Sequence, residues 1–278
     1  MKILITGIYG FLGTHLANKL AKNHTVFGLY NTEKEVTFNE NIVCFNKLDS
    51  IDIVPDVIIM CHAAVSSGSI NIDKSALIET NVNFTKKIVE KFSTIKSIYV
   101  SSVSIFGNQN EVVNEQSILN PETDYALSKL LGEKEVSQNS DSVIIRFSSL
   151  YGNGMKENTL IPNYCNQGLE NKSIQVWGNG GRFQNYIHVN DAVSLIEKTI
   201  AHKLKISFPV LGVSSKEYSN NEVAKIISKL TNSAIEYINQ DNSPSFHYNN
   251  KMTQKTLDWQ SEIELENGLK QYLEWKKK

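Results

Sequence analysis

Arginine is scarce: of 28 basic residues in this 278-residue chain only Arg146 and Arg182 are arginines. Nearly every positive charge is therefore a flexible lysine point charge without a bidentate fork, so a diphosphate that needs a planar clamp has few candidates. Cysteine is scarce too. Cys44, Cys61 and Cys165 are odd in number and show no CxxC spacing, so neither a disulfide framework nor a zinc site is suggested and a reducing cytoplasm is the expected compartment. His15, His24, His62, His188, His202 and His247 show no HExxH or similar spacing, so no metal is expected. No apolar run approaches the roughly 18–20 residues of a membrane span, and a first strand starting at Lys2 leaves no room for a signal peptide. Neither sign of charge is in excess. A net charge of −1 argues against the broad basic surface that nucleic-acid binding requires.

What is present is ordinary for a folded protein, 41% hydrophobic and 21% charged, which disfavours a disordered chain, a collagen-like repeat or a coiled coil. Residues 2–6 read as a strand closed by glycines, after which Phe11, Leu12, Leu16 and Leu20 recur at helical spacing. Further strands are expected at about 24–29, 42–45, 57–61, 97–101 and 142–147, with helices over 75–92 and 124–138. The run 57–61 is apolar on both faces, as a central parallel strand should be. This alternation predicts an α/β fold, a Rossmann-like doubly wound parallel sheet over residues 1–150, with 183–205 returning to it. Residues 151–278 become richer in glycine and asparagine and are expected to form a smaller α/β substrate-binding region, with helices near 220–231 and 265–276.

Gly7, Gly10 and Gly13 lie between the first strand and first helix. There the first glycine permits a sharp turn, the second a close approach of backbone to pyrophosphate, and the third tight helix packing, with the helix N-terminus facing the negative charge. No GxxxxGK follows, so a triphosphate P-loop is not supported. At the end of the second strand stand Tyr30 and Asn31, neither acidic nor basic. NAD and NADP both stay open, with a lean to NADP(H) because no carboxylate is there to repel a 2′-phosphate. Asp49 is placed to meet an adenine amino group, or is an exposed loop aspartate.

Tyr125 and Lys129 are four apart in an expected helix and share a face. A nearby ammonium and a cationic nicotinamide would favour the tyrosine phenolate and bring it into a useful acid/base range. Ser101 and Ser102 end the preceding strand, at the sheet edge where ligands bind, and a hydroxyl there can polarise a carbonyl. Cys61, on a buried strand, reads as core.

These motifs, together with His62-Ala63-Ala64 and the segment from Gly178 to Asp191, resemble the extended short-chain dehydrogenase/reductases of the NAD-dependent epimerase/dehydratase family, which act on nucleotide sugars. The resemblance runs along nearly the whole chain, as far as Leu257-Asp258-Trp259. It implies Ser102 as the carbonyl-polarising hydroxyl, Tyr125 as acid/base, and Lys129 as the group that tunes Tyr125 and holds the nicotinamide ribose. It further implies a cofactor lined by Gly7, Tyr9, Gly10, Phe11, Leu12, Gly13, Tyr30, Asn31, Asp49, Ser50, His62, Ala63, Ala64, Asn81 and Phe147. Ser104 and Ser149 would face the sugar, and Arg182 or Gln184 the nucleotide diphosphate. Helices 75–92 and 124–138 would pair with a second copy in a homodimer.

Four positions depart from the family pattern: Phe106 where tyrosine is usual, Ser149 where asparagine is usual, Asn153 where a proline is usual after Tyr-Gly, and Gln184 where an arginine is usual, with Arg182 two residues upstream. No Asp-Glu pair follows Ser102 or Ser104, so elimination is disfavoured. The expectation is NAD(P)H-dependent reduction of a 4-keto group on a nucleotide-activated deoxysugar. The alternatives are an NAD-dependent 4-epimerase and, from another class, a non-catalytic dinucleotide-binding protein on the same fold.

Overall fold

The structure, a computed structural model, describes residues 1–36, 38, 42–65, 71–109 and 111–278. In chain order its first half comprises β1 (Lys2–Thr6), α1 (Phe11–Leu20), β2 (Thr25–Leu29), β3 (Val43–Phe45), β4 (Val57–Met60), α2 (Lys74–Ile78), α3 (Phe84–Lys91), β5 (Lys96–Ser102), β6 (Val113–Asn114), α4 (Asp124–Val136) and β7 (Ser142–Phe147). There follow β8 (Ser149–Tyr151), α5 (Leu160–Leu169), β9 (Ile174–Trp177), β10 (Phe183–His188), α6 (Val189–Ala201), β11 (Val210–Gly212), β12 (Glu217–Ser219), α7 (Asn220–Thr231), β13 (Ile235–Ile238), β14 (Tyr248–Asn249), α8 (Lys251–Leu257) and α9 (Leu265–Lys276).

Seven strands form one sheet in the order β11-β7-β5-β4-β1-β2-β3, and every neighbouring pair is parallel. The chain first winds outward through β2 and β3, then restarts at β4 on the other side of β1. The topological switch lies between β1 and β4, the place where doubly wound sheets bind ligands. Strand β4 is buried along its whole length, which matches its unbroken apolar sequence. One sheet face packs Leu12, Leu16 and Leu20 of α1 with Leu195 and Ile196 of α6, and the other packs Ile88, Val89 and Val136 of α3 and α4.

Two details differ from the sequence expectation. The helix expected over 75–92 is interrupted by a π turn at Glu79–Asn83, so α2 and α3 are two pieces of one rod with a wide turn between them. Such a turn carries an extra residue and is common at functional sites. Helices α5, α6 and α8 are additional to those expected from the sequence, and α6 starts directly after β10.

After β7 the chain builds a second core from Ile161, Tyr164 and Cys165 of α5, Val223 and Ile227 of α7, and Leu269 and Tyr272 of α9. Beside it β10 joins β8 and β12 in a three-stranded sheet, while β11 returns to the edge of the large one. Strand β8 begins two residues after β7 ends, so the two sheets meet at Ser148, which hydrogen-bonds Asn185 of β10 at 2.7 Å. Because β8 follows directly on the carboxyl end of β7, the second region adjoins the carboxyl edge of the large sheet, the edge at which doubly wound sheets bind ligands and here the candidate cleft.

Candidate active site

The glycine turn is built on close contacts. Gly7 has φ +67°, and a Cβ there would sit 2.8 Å from the His62 Cα at the end of β4. A Cβ on Gly13 would strike the Gly7 carbonyl. The turn is tied down by Gly7 N–H donating to Leu29 O and Gly10 N–H to Gly7 O, both at 2.8 Å. Gly10 is the N-cap of α1, and no acidic side chain occupies that helix's first turn, so its N–H groups and dipole face the cleft without internal competition. Phe11 and Leu12 open the helix. Tyr9 packs edge-on against Tyr30 (5.0 Å) and tilted on Phe38 (5.6 Å) at the end of β2. Burial and the nearby Cys44 thiol push the Tyr9 phenol up to about 12. Asn31 is exposed, and Asp49 and Ser50 lie exposed on a 3-10 turn after β3.

At the end of β4, His62 is enclosed between Thr6 of β1 (Nδ1 to Oγ1, 2.6 Å) and Thr85 of α3 (Nε2 to Oγ1, 3.0 Å). Thr85 donates its own proton to the Asn81 carbonyl, so its oxygen accepts from Nε2–H, and Nδ1 accepts from the Thr6 hydroxyl. Burial pushes the imidazole down to about 3. Both ring nitrogens are thus used inside the protein, and the residue's role at the cleft falls to its backbone. Asn81, fully buried in the π turn, accepts from Ala64 N–H and donates to Ala64 O and to Ser128 Oγ, which donates to the Tyr125 carbonyl. A continuous chain of hydrogen bonds therefore links β1, the loop after β4 and the helix that carries Tyr125. Ala63 is exposed beside it.

Helix α4 starts at an N-cap, Thr123, whose hydroxyl accepts from Ala126 N–H. Tyr125 and Lys129 occupy its first two turns, on the face toward β5. Gly132 makes the close approach possible: a Cβ there would collide with the Tyr99 hydroxyl. Ser102 lies beside the Tyr125 hydroxyl; desolvation raises the phenol's pKa to about 12, the serine contact opposing the rise. The Lys129 Nζ lies over the Tyr99 ring, 4.1 Å from its centre. Ser102 accepts the Ser104 N–H at 3.1 Å, which leaves the serine's proton to point elsewhere. The Oγ atoms of Ser101 and Ser104 and the Nζ of Lys129 are buried with no hydrogen-bond partner. Lys129 is only 1% exposed, and desolvation lowers its pKa to about 7.

An orphaned ammonium at this depth is costly unless something meets it. Together with a glycine turn that no side chain could fill, it fits a dinucleotide whose ribose hydroxyls reach Lys129 and whose pyrophosphate rests on α1. The other named residues are placed as follows. The Phe147 ring is buried in the sheet core against Gly212, and Ser149 is exposed on β8. Gln184 donates to Asn220 Oδ1 at 2.7 Å, and the Arg182 Nε donates to Pro244 O at 3.2 Å. Sequence reasoning missed Thr6, Thr85 and Ser128 as members of the hydrogen-bond chain, and it missed Glu133. The i, i+4 spacing of Asn81 with Thr85 and of Lys129 with Glu133 is the signal that carries two of them. Among the described residues no group of His, Cys, Asp or Glu could hold a metal ion, and no helix is long and apolar enough to cross a membrane.

A phenol, a serine hydroxyl and an unmet lysine thus stand together at the carboxyl edge of a Rossmann-like sheet. Residues 3–208 match the NAD dependent epimerase/dehydratase family, and the chain belongs to it. It is 26% identical over 302 residues to a putative UDP-glucose 4-epimerase of Methanocaldococcus jannaschii, covering 99% of this chain and 98% of that one. It is 29% identical over 270 residues to a dTDP-D-glucose 4,6-dehydratase of Dictyostelium discoideum, covering 83% of this chain but only 62% of that protein's length. The crystal structure of a UDP-glucuronic acid 4-epimerase from Bacillus cereus, in complex with UDP-glucuronic acid and NAD, superposes with a TM-score of 0.88 at 20% identity, over 100% and 99% of the two chains.

Proposed function

We propose that this enzyme uses NAD(P)H to reduce the 4-keto group of a nucleotide-activated deoxysugar. The carrying observation is that the Tyr125 phenol, beside Ser102 and pushed up to about 12 by burial, stays neutral, the protonation state a proton donor to a carbonyl oxygen needs. When bound, the reduced nicotinamide supplies the hydride. Ser102 donates its free proton to the substrate oxygen, and Tyr125 protonates that oxygen as charge builds on it. Lys129 holds the cofactor ribose and stabilises the phenolate that Tyr125 becomes. Elimination would require a further acid/base pair, and positions 103–105 carry Val103, Ser104 and Ile105 instead.

Residues 1–150 with the returning segment would hold the dinucleotide, and 151–278 the sugar nucleotide, with Ser104 and Ser149 toward the sugar and Arg182 or Gln184 toward the diphosphate. NADP(H) is favoured over NAD(H) by the lack of a carboxylate at Tyr30 and Asn31, with Lys34 on the following loop as a cation for a 2′-phosphate and Glu33 and Glu35 beside it as opposing charges. A homodimer would form through the outer faces of α3 and α4, where Leu127 is solvent-exposed. Three free thiols suit a reducing cytoplasm.

The test is a panel of nucleotide sugars and their 4-keto derivatives, followed by NAD(P)H oxidation and by NMR of the product. Oxidation with a keto-sugar supports the reductase, and its absence across the panel overturns it. A second reading, a 4-epimerase, is favoured by the relatives just described that carry that name. Tightly bound NAD in the purified protein, with interconversion of 4-epimers and no added reductant, would establish it instead.

A further inference from the structure

The stripe of α4 that carries Tyr125 and Lys129 continues one turn further to Glu133, so the three side chains stand four apart along one face. Glu133 is 3% exposed, and its two oxygens are both taken by Arg146 of β7: Nε to Oε1 at 3.1 Å and Nη2 to Oε2 at 2.8 Å. The guanidinium, 4% exposed, is held from its other side by the Phe106 ring, 5.1 Å from carbon to ring centre. Buried pairs of this kind return little net stability, because desolvation offsets most of their attraction. This one sits a single helical turn from an unpartnered ammonium.

The groups that bear on Lys129 come from three elements. Tyr125 and Glu133 lie on its own helix, Cys61 and His62 at the end of β4, and Tyr99 on β5. The Cys61 thiol is pushed up by burial and the His62 imidazole is neutral, so Glu133 is the one carboxylate in the set. A free glutamate at i+4 would close directly on the lysine and draw it away from the cleft. With both oxygens fixed on Arg146, the carboxylate exerts its field without capturing the ammonium.

We propose that the Arg146–Glu133 pair is a positioning device for Lys129: Glu133 keeps the lysine charged, and Arg146 keeps Glu133 from binding it, so that Nζ stays free for the cofactor ribose. The inference rests on the reading of Lys129 as a cofactor-holding residue. It predicts opposite effects from the two single substitutions. Glu133→Gln removes the favourable charge and leaves a cation nearby, so Lys129 deprotonates at lower pH. Arg146→Met frees the carboxylate, so Lys129 keeps its proton to higher pH while being drawn toward Glu133.

The experiment is NADH binding by fluorescence from pH 5.5 to 9.5, NADH being chosen because it lacks a titrating 2′-phosphate. For Glu133→Gln the midpoint of the alkaline loss of affinity should fall by about one pH unit, equal to about a tenfold weaker affinity on that limb. For Arg146→Met the midpoint should rise, with affinity weakened several-fold at every pH. Shifts in the same direction, or none in folded protein, overturn the proposal. If either single variant fails to fold, the double variant Glu133→Gln/Arg146→Met decides: a midpoint below that of the unaltered enzyme supports the device, and an unchanged one overturns it. Lys129→Met serves as the control. If it leaves the alkaline limb in place, the reading of Lys129 itself fails; if it abolishes the limb while the pair variants do not move it, only the present inference fails.

Discussion

The site residues of the large sheet and the two residues assigned to the diphosphate differ in how far their polar groups are already engaged, although Tyr151, Asn153 and Tyr186 of the second region also bury polar atoms without partners. On the sheet side, Lys129 Nζ and the hydroxyls of Ser101 and Ser104 are buried and unmet. On the other side, the two residues assigned to the diphosphate are engaged with their own neighbourhood, Gln184 with Asn220 and Arg182 with Pro244. The first side is preorganised for its ligand, and its positions are fixed by packed strands and a capped helix. The second commits one donor of each residue internally, Nε of Arg182 and Nε2 of Gln184, and leaves the terminal nitrogens of Arg182 for an external anion.

The sharpest way to break this contrast is Tyr125→Phe. Loss of the acid/base hydroxyl should lower kcat by about 100- to 10,000-fold while leaving cofactor affinity nearly unchanged, as steady-state kinetics and a binding titration would show. Retained turnover would remove the sheet side from the chemistry. Next in size is Gly132→Val, which drives a side chain into Tyr99 and should cost about 1–3 kcal/mol in urea denaturation, with loss of activity as α4 is displaced from β5. On the other side, Arg182→Ala should raise the substrate KM about tenfold, about 1.4 kcal/mol, and leave the cofactor KM within about twofold. Gln184→Ala should change either KM by less than about threefold, because its amide is engaged with Asn220.

A pH series probes the sheet side separately. The His62 imidazole, near 6.5 in an unfolded chain, is lowered to about 3 in the folded one, so the unfolded state binds the extra proton. Its contribution to stability is complete above about pH 6.5 and is lost progressively as pH falls toward 3. The urea midpoint should drop over that window, and His62→Gln should flatten the drop.

How much the sequence revealed follows the same division. Six strands of the large sheet, the glycine turn and the Tyr125–Lys129 spacing are local patterns whose period or order is set by backbone geometry, whereas the seventh strand, β11 at the edge, is not among those expected from the sequence. The partners that complete the site are not local. Arg146 reads in sequence as a strand-end residue beside the core, yet it fixes Glu133 thirteen positions earlier, a pairing created by the packing of α4 on β5 and β7. His62 likewise joins Thr6 and Thr85 from two other elements. For Gln184 and Arg182 the sequence shows the residue types but not that Asn220 and Pro244 engage them.

The π turn at Glu79–Asn83 places Asn81 so that its amide can span both Ala64 and Ser128. In an ordinary helix each residue advances the side-chain direction by about 100°. Removing one residue from the wide turn would restore the regular α-helical repeat and swing Asn81 away by about that angle, leaving both partners unmet and separating the cofactor loop from α4. This stretch of helix therefore acts as a length gauge: it should tolerate changes of side chain on its exposed side far better than any change in the number of residues between Lys74 and Lys91.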